Sequence, residues 1–301
     1  MKHRDTFSGY HPIINFLYFV LVLGFTMFFM HPGSLLISLA AALSYAIALN
    51  GRRMLRFSLA ALLPMMLMAA LINPLFNHEG VTILSYLPTG NPLTLESLIY
   101  GVAAALRMAA VITWFSCYTA VMTSDKFVYL FGKLIPALSL VLSMTLRFVP
   151  KFKAQFKVVS QAQACVGRDI SDGSLLRRLK NAVMILSVMV TWALENTIET
   201  ADSMKSRGYG LPGRSAFSIY CFDRRDRLAL LWLLFCGGYV IVGWILGGVA
   251  WQYYPFIKGS GLGLYPVSVQ LMYLALCVTP LAINIYASAQ WKRIYHKGGA
   301  A

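Results

Sequence analysis

The feature that most constrains this chain is a series of apolar runs, most of them near the roughly 20 residues a helix needs to cross about 30 Å of hydrocarbon. Four lie in the first half, at residues 13–30, 35–49, 57–76 and 95–122, and two lie late, at 228–250 and 265–287. Hydrophobic residues make up 58% of the 301 and charged residues 12%, a balance foreign to ordinary soluble domains. The expectation is an all-α integral membrane protein with about six transmembrane helices. The first run follows a short basic stretch but is long and lacks a small-residue cleavage site, so it reads as a retained span rather than a signal peptide.

Between the fourth and fifth runs the pattern changes. Residues 127–146 are interrupted by Gly132-Lys133 and Pro136, and the uncharged run 181–194 is well short of a crossing. Both read as interfacial or re-entrant helices. If both crossed, Lys151, Lys153, Lys157, Arg168, Arg177, Arg178 and Lys180 would lie outside, against the lysine and arginine bias of cytoplasmic loops. If neither crosses, both termini, the Arg52-Arg53-Arg56 loop and the basic stretch 126–227 are cytoplasmic, leaving Lys258 and the intramembrane Arg107 elsewhere. The expected organisation is a membrane domain at 1–122, a cytoplasmic region of long amphipathic helices at 123–227, and C-terminal membrane helices at 228–301. Basic residues at that face account for the net charge of +15 by orienting the chain and meeting anionic lipid. No nucleic-acid module accompanies the charge.

The second half of the insertion has helical periodicity. Leu175, Leu179, Ala182, Val183, Leu186, Val190, Ala193, Leu194, Ile198 and Ala201 recur at three- and four-residue steps, while Glu195, Glu199 and Asp202 share one arc. Gly208 ends that helix, being suited to the left-handed turn that follows one. Arg207, just before it, complements the negative end of the helix dipole. Upstream, residues 148–166 form a basic amphipathic helix followed by Gly167 and Arg168. Two helices thus finish in an arginine and a glycine, and a planar guanidinium on an exposed helix end is suited to docking a carboxylate.

Other chemistry is sparse. Five cysteines (Cys117, Cys165, Cys221, Cys236, Cys277) form no C-x-x-C pair, so neither a disulfide framework nor a zinc site is expected. His3, His11, His31, His78 and His296 are dispersed, which argues against a metal or catalytic cluster. Gly132-Lys133 lacks both the upstream glycine and the following serine or threonine of a P-loop. Arg107, near the middle of its run, has no acid in any other expected span and costs at least a few kcal/mol there unless paired or hydrated; a structural lock inside the bundle is the favoured reading over contact with a partner subunit.

The chain resembles the transmembrane T component of energy-coupling factor (ECF) transporters, prokaryotic importers of vitamins and transition-metal ions. The likeness rests on "TSDKFVYLFGKLIPALSLVLSMTLRFVPKF" (residues 123–152), "AQACVG" (162–167) and "ADSMKSRGYGLPGR" (201–214), with similar organisation from "HPIINF" (11–16) through "FDRRDRLALL" (222–231). The resemblance implies two coupling helices, each ending in an Ala-Arg-Gly motif that inserts into a groove on one of two ABC-type ATPases. Ser206-Arg207-Gly208 is similar to the second motif, with serine for alanine. The first motif is replaced by Cys165-Val166-Gly167, with arginine only afterwards at Arg168, so Val166, Gly167 and Arg168 stand where it would be. By the same resemblance a separate substrate-binding membrane subunit (S component) rests on apolar faces, for which Leu138, Leu142 and Leu146 on the earlier helix and Leu186, Met189 and Val190 on the later one are candidates. The chain would then bind no cofactor, ATP and magnesium being held by the partner ATPases. It would be a non-catalytic subunit in the cell membrane with both termini cytoplasmic. Rival classes are a self-contained secondary transporter, which should show internal repeats and broken polar helices, and a membrane enzyme acting on lipid, which needs clustered acids or histidines. Glu195, Glu199 and Asp202 are the only such cluster.

Overall fold

The computed structural model describes residues 5–77, 79–86, 92–132, 135–171, 174–211, 220–259, 261 and 263–298; His78, residues 87–91 and Pro212–Arg214 of the sequence motifs lie outside them. The chain divides into two compact units, residues 1–123 with 220–301, and residues 124–219.

In the first unit, α1 (Pro12–Phe28) and α2 (Pro32–Asn50) open with the same device: His11 and His31 each precede a proline at the first helical position. The Nδ1 of each ring accepts the backbone N–H two residues on, at 3.3 and 3.1 Å, so two helix starts satisfy an orphan donor while proline supplies the pre-set φ. α2 ends at Gly51, with φ 56°. A short α3 (Arg52–Phe57) runs into a π-helical segment (Ser58–Leu62) and then α4 (Leu63–Phe76). The hairpin β1 (Ile83–Tyr86) and β2 (Pro92–Thr94) leads to α5 (Leu95–Val121). After the second unit come α9 (Arg224–Ile245), the short β3 (Trp251–Gln252) and β4 (Lys258–Gly259), and α10 (Leu264–Gly298).

α2 packs between α5 and α10, α4 lies on α5, and α1 touches α5 and α9. The core joins Tyr18, Phe19, Tyr45, Trp114, Val240, Tyr273 and Cys277. Polar atoms inside it are paired across helices: the Thr26 hydroxyl lies 2.8 Å from Ser38 Oγ and 3.0 Å from the Tyr273 hydroxyl, and Trp114 Nε1 donates to Ser38 Oγ at 3.0 Å. In a bilayer, where apolar burial gives helices no mutual preference, such bonds and close packing of small residues hold them together. Gly101 shows the second effect, since a Cβ there would stand 2.7 Å from the Ala70 carbonyl oxygen of α4.

Among the described residues five helices are long and apolar enough to cross a membrane: α2, α5, α9, residues 264–291 of α10, and a helix of the second unit, Leu175–Ser206. The expected spans 13–30 and 57–76 are shorter as helices, Pro12–Phe28 and Ala60–Phe76.

The second unit comprises α6 (Ser124–Gly132), α7 (Pro136–Cys165) and α8 (Leu175–Ser206). Two sequence expectations change here. The helix expected at 148–166 is the second half of α7, which begins at Pro136 and continues through Pro150, although that residue offers no N–H to the carbonyl four before it. The run 181–194, expected to be too short to cross, sits inside a 32-residue helix whose length and composition suffice. α7 and α8 pack antiparallel: Phe152 meets Trp192 edge-on at 5.3 Å, Lys151 Nζ donates to Asn196 Oδ1 at 2.6 Å, and Val159 shares a small core with Ile185 and Met189.

Candidate functional site

The two long helices of the second unit end alike. In α8 the Gly208 N–H reaches the Lys205 carbonyl at 2.9 Å and the Tyr209 N–H reaches the Met204 carbonyl at 3.0 Å. In α7 the Gly167 N–H reaches Ala164 at 3.0 Å and the Arg168 N–H reaches Gln163 at 2.9 Å. Both are Schellman closures, with Gly167 at φ 73° and Gly208 at φ 75°. The left-handed residue is glycine in each because a Cβ disfavours that conformation.

This matching fixes which residues correspond. Arg207 is the C-cap of α8 and Val166 is the C-cap of α7, while Arg168 corresponds to Tyr209, one place beyond the glycine. The arginines therefore leave the two tips from different positions. Ser206, Arg207 and Arg168 are exposed, Val166 is 69% exposed, and Gly208 is half-buried. Because the helices run antiparallel, the tips leave opposite ends of the hairpin.

The connection between them is fastened to α8. Asn181 Nδ2 donates to the Asp169 carbonyl at 2.8 Å and Arg178 Nε donates to the Ile170 carbonyl at 2.7 Å. The Ser171 N–H bonded to Asp169 Oδ1 at 3.0 Å holds that carboxyl below the usual carboxylate range. Sequence reasoning missed this clamp. Its trace was there, since Asn181, Ile185 and Met189 recur every four residues on one helix face.

The candidate platform residues divide. Leu186 is 62% and Val190 50% exposed, on a stripe continued by Leu179, Val183, Leu194 and Ile198, whereas Met189 is 6% exposed and belongs to the hairpin core. Leu142 is half-buried and Leu146 is 37% exposed. The Leu138 side chain lies outside the described ones.

Arg107 is in the first unit. Its Nη1 donates to the Met30 thioether at 3.3 Å, and Met30 also accepts at its carbonyl from the Tyr253 hydroxyl at 2.8 Å. Met30 belongs to the turn between α1 and α2, so Arg107 sits level with a helix end although it is central in α5. Tyr100, Tyr253 and Tyr254 close over this rim. The polar side chains of Asn15, Asn73 and Thr113 in the same unit bond Tyr10, Tyr254 and Ala109. Among the described residues no group of three or more His, Cys, Asp or Glu is placed to hold a metal ion.

Residues 11–218 match the family model for CbiQ, a cobalt transport protein. The chain is also similar to curated proteins named energy-coupling factor transporter transmembrane protein EcfT. The likeness to that of Bacillus selenitireducens is 27% identity over 73% of this chain and 87% of the relative. For Lactobacillus helveticus it is 30% over 36% of this chain and 39% of the relative, and for the EcfT 1 of Listeria monocytogenes 30% over 50% and 62%. The alignments with the latter two span less than two thirds of those relatives' length.

Proposed function

The chain belongs to the cobalt transport protein family, CbiQ, and with it to the transmembrane components of ECF transporters; from that premise we propose that it couples two cytoplasmic ABC-type ATPases to a separate substrate-binding membrane subunit. It hydrolyses nothing itself; ATP and magnesium belong to the partners, and this chain contributes cationic and apolar contacts. The cargo, a vitamin or a transition-metal ion, is selected by the other membrane subunit.

The observation carrying the proposal is the pair of matched helix ends: two exposed Schellman tips leave opposite ends of one antiparallel hairpin, as two separate grooves on an ATPase pair require. Arg207 at the C-cap is positioned to enter one groove as a charge-assisted, bidentate donor. The exposed stripe through Leu186 and Val190 offers the platform for the substrate-binding subunit.

Parity supports a topology with both tips in the cytoplasm. Asn284 of α10 bonds Asp5, which precedes α1, so the start of α1 and the later part of α10 lie at one end of the first unit. α9 also begins there, since Arg225 lies 4.2 Å over the Tyr10 ring and donates to the Gly9 carbonyl. α5 ends there too, running alongside α2 from Leu35 and Ala103 in one cluster to Ala42 and Cys117. The second unit must therefore cross an even number of times. α8 could cross only with α7, whose interior carries Arg147, Lys151, Lys153 and Lys157, each costing roughly 2.5–3.5 kcal/mol at a bilayer centre. In the proposed topology neither crosses, and the arginine and lysine bias supports a cytoplasmic location for both tips.

The test is gentle purification from native membranes with identification of what accompanies the chain. Two nucleotide-binding subunits and one small membrane protein are expected; a chain that transports in liposomes alone would overturn the assignment.

A further inference from the structure

The two tips hold their arginines by different means. At the end of α8 the arginine is the C-cap itself, and the Arg207 N–H still reaches back into the helix, to the Ser203 carbonyl at 3.3 Å. At the end of α7 the C-cap is Val166, and the arginine comes only after the glycine, as Arg168. A residue beyond a helix end is ordinarily free to swing, and docking it then costs the entropy of ordering its backbone.

Arg168 is not left free. Before it, its own N–H closes the turn on the Gln163 carbonyl at 2.9 Å. After it, the next two carbonyls are both taken by α8: Asn181 Nδ2 donates to that of Asp169 at 2.8 Å and Arg178 Nε to that of Ile170 at 2.7 Å. The two donors are three residues apart, the spacing that sets side chains on one face of a helix. Ile170 packs against the core of Val159, Ile185 and Met189, and Asn181 is only 9% exposed. The neighbouring Asp169 carboxylate is engaged by the Ser171 N–H, and among the described residues Arg168 is in no ion pair. Its backbone is thus fixed on both sides while the residue itself is exposed.

We infer that Asn181 and Arg178 are positioning residues for Arg168: by holding the two carbonyls that follow it, they make the first tip present a pre-set guanidinium to a carboxylate of its partner ATPase, in spite of the one-place shift. The inference rests on the coupling role proposed above and adds how the first tip performs it. Such a clamp strengthens docking by lowering its ordering cost and not by adding a contact.

The full chain in nanodiscs is titrated with the ATPase subunits that accompany it from native membranes, and an apparent Kd is read for each variant. Arg168→Ala should weaken binding about tenfold, the low end for a hydrogen bond to a charged group. Asn181→Ala and Arg178→Ala should each weaken it about fivefold, the scale of re-ordering one residue's backbone. Neither should weaken it further once Arg168→Ala is present, because a clamp acts only through the residue it holds. Amide exchange at Ile170 and Ser171 should quicken in Asn181→Ala while Ile185 and Met189 keep their rates. Arg178 is exposed, so its variant tests the clamp without disturbing the core. Parent-like binding by Arg168→Ala, or by both clamp variants, overturns the inference. Clamp losses that persist in full beside Arg168→Ala, or exchange that quickens equally at Ile185, would mark a purely structural role and overturn it too. Parent-like binding by Arg207→Ala would bring down the coupling role and this inference together, whereas loss in Arg207→Ala with parent-like clamp variants would bring down this inference alone.

Discussion

Val166 occupies at the end of α7 the place that Arg207 occupies at the end of α8. Each is the C-cap before a left-handed glycine, so the two tips share a backbone and differ in the residue presented.

If Arg207 anchors an ATPase, its removal leaves the partner's charge buried and unpaired, which costs about 2–5 kcal/mol. Arg207→Ala should therefore reduce co-purification of ATPase subunits roughly 30-fold or more and abolish ATP-driven uptake, with the protein still inserted. Arg168→Ala should do less, because Arg168 leaves its tip beyond the glycine. Val166→Arg, which makes the tips alike, should tighten the complex. Full uptake by Arg207→Ala would exclude the anchor role.

The two glycines should differ in tolerance. Alanine at either pays about 1–2 kcal/mol for a left-handed conformation. At Gly208 the new Cβ also stands 3.1 Å from Leu211 Cδ1, whereas at Gly167 nothing lies within 4 Å. Gly208→Ala should thus fray its helix end more than Gly167→Ala, read as faster amide exchange of Tyr209 and Gly208 relative to Arg168 and Gly167.

Arg107 tests where the hydrocarbon begins. With a thioether acceptor at the level of the α1–α2 turn, Arg107→Leu should change stability in detergent-lipid micelles or nanodiscs by no more than about 1 kcal/mol. A guanidinium at the bilayer centre would cost roughly 2.5–3.5 kcal/mol. A gain of that size on substitution would put Arg107 deep in the membrane and not at a rim.

The last helix lies outside the stretch that matches the family, yet the core depends on it. Tyr273 bonds Thr26, and the Tyr18 hydroxyl donates to the Cys277 carbonyl at 3.1 Å. Tyr273→Phe should cost about 0.6–2 kcal/mol, the range for interhelical bonds in lipid, by thermal unfolding in detergent. A chain ended at residue 219 should fail to give monodisperse protein; a stable truncated chain would show that α9 and α10 are dispensable.

Much of this was legible in the sequence because membrane and helix rules act locally. Apolar length announced the spans, glycine marked both helix ends, and the spacing of Leu186, Val190, Leu194 and Ile198 gave a face left exposed in the fold. The start of α7 was not legible: the helix expected at 148–166 begins already at Pro136, a residue whose fixed φ suits a first helical turn. The length of α8 was legible from the periodicity running from Leu175 to Ala201, not from the apolar run 181–194, because the flanking charged residues are also helical and extend α8 on both sides.

The sequence alone determined that the chain is helical, lives in a bilayer and carries arginine and glycine at two helix ends, since composition, periodicity and the special backbone of glycine need no partner to express themselves. That Met189 faces inward while its neighbour Val190 does not, and that Arg107 meets Met30, were decided only by the tertiary structure. Those facts depend on the register between helices far apart in the chain, and register is fixed by packing, which no local window contains.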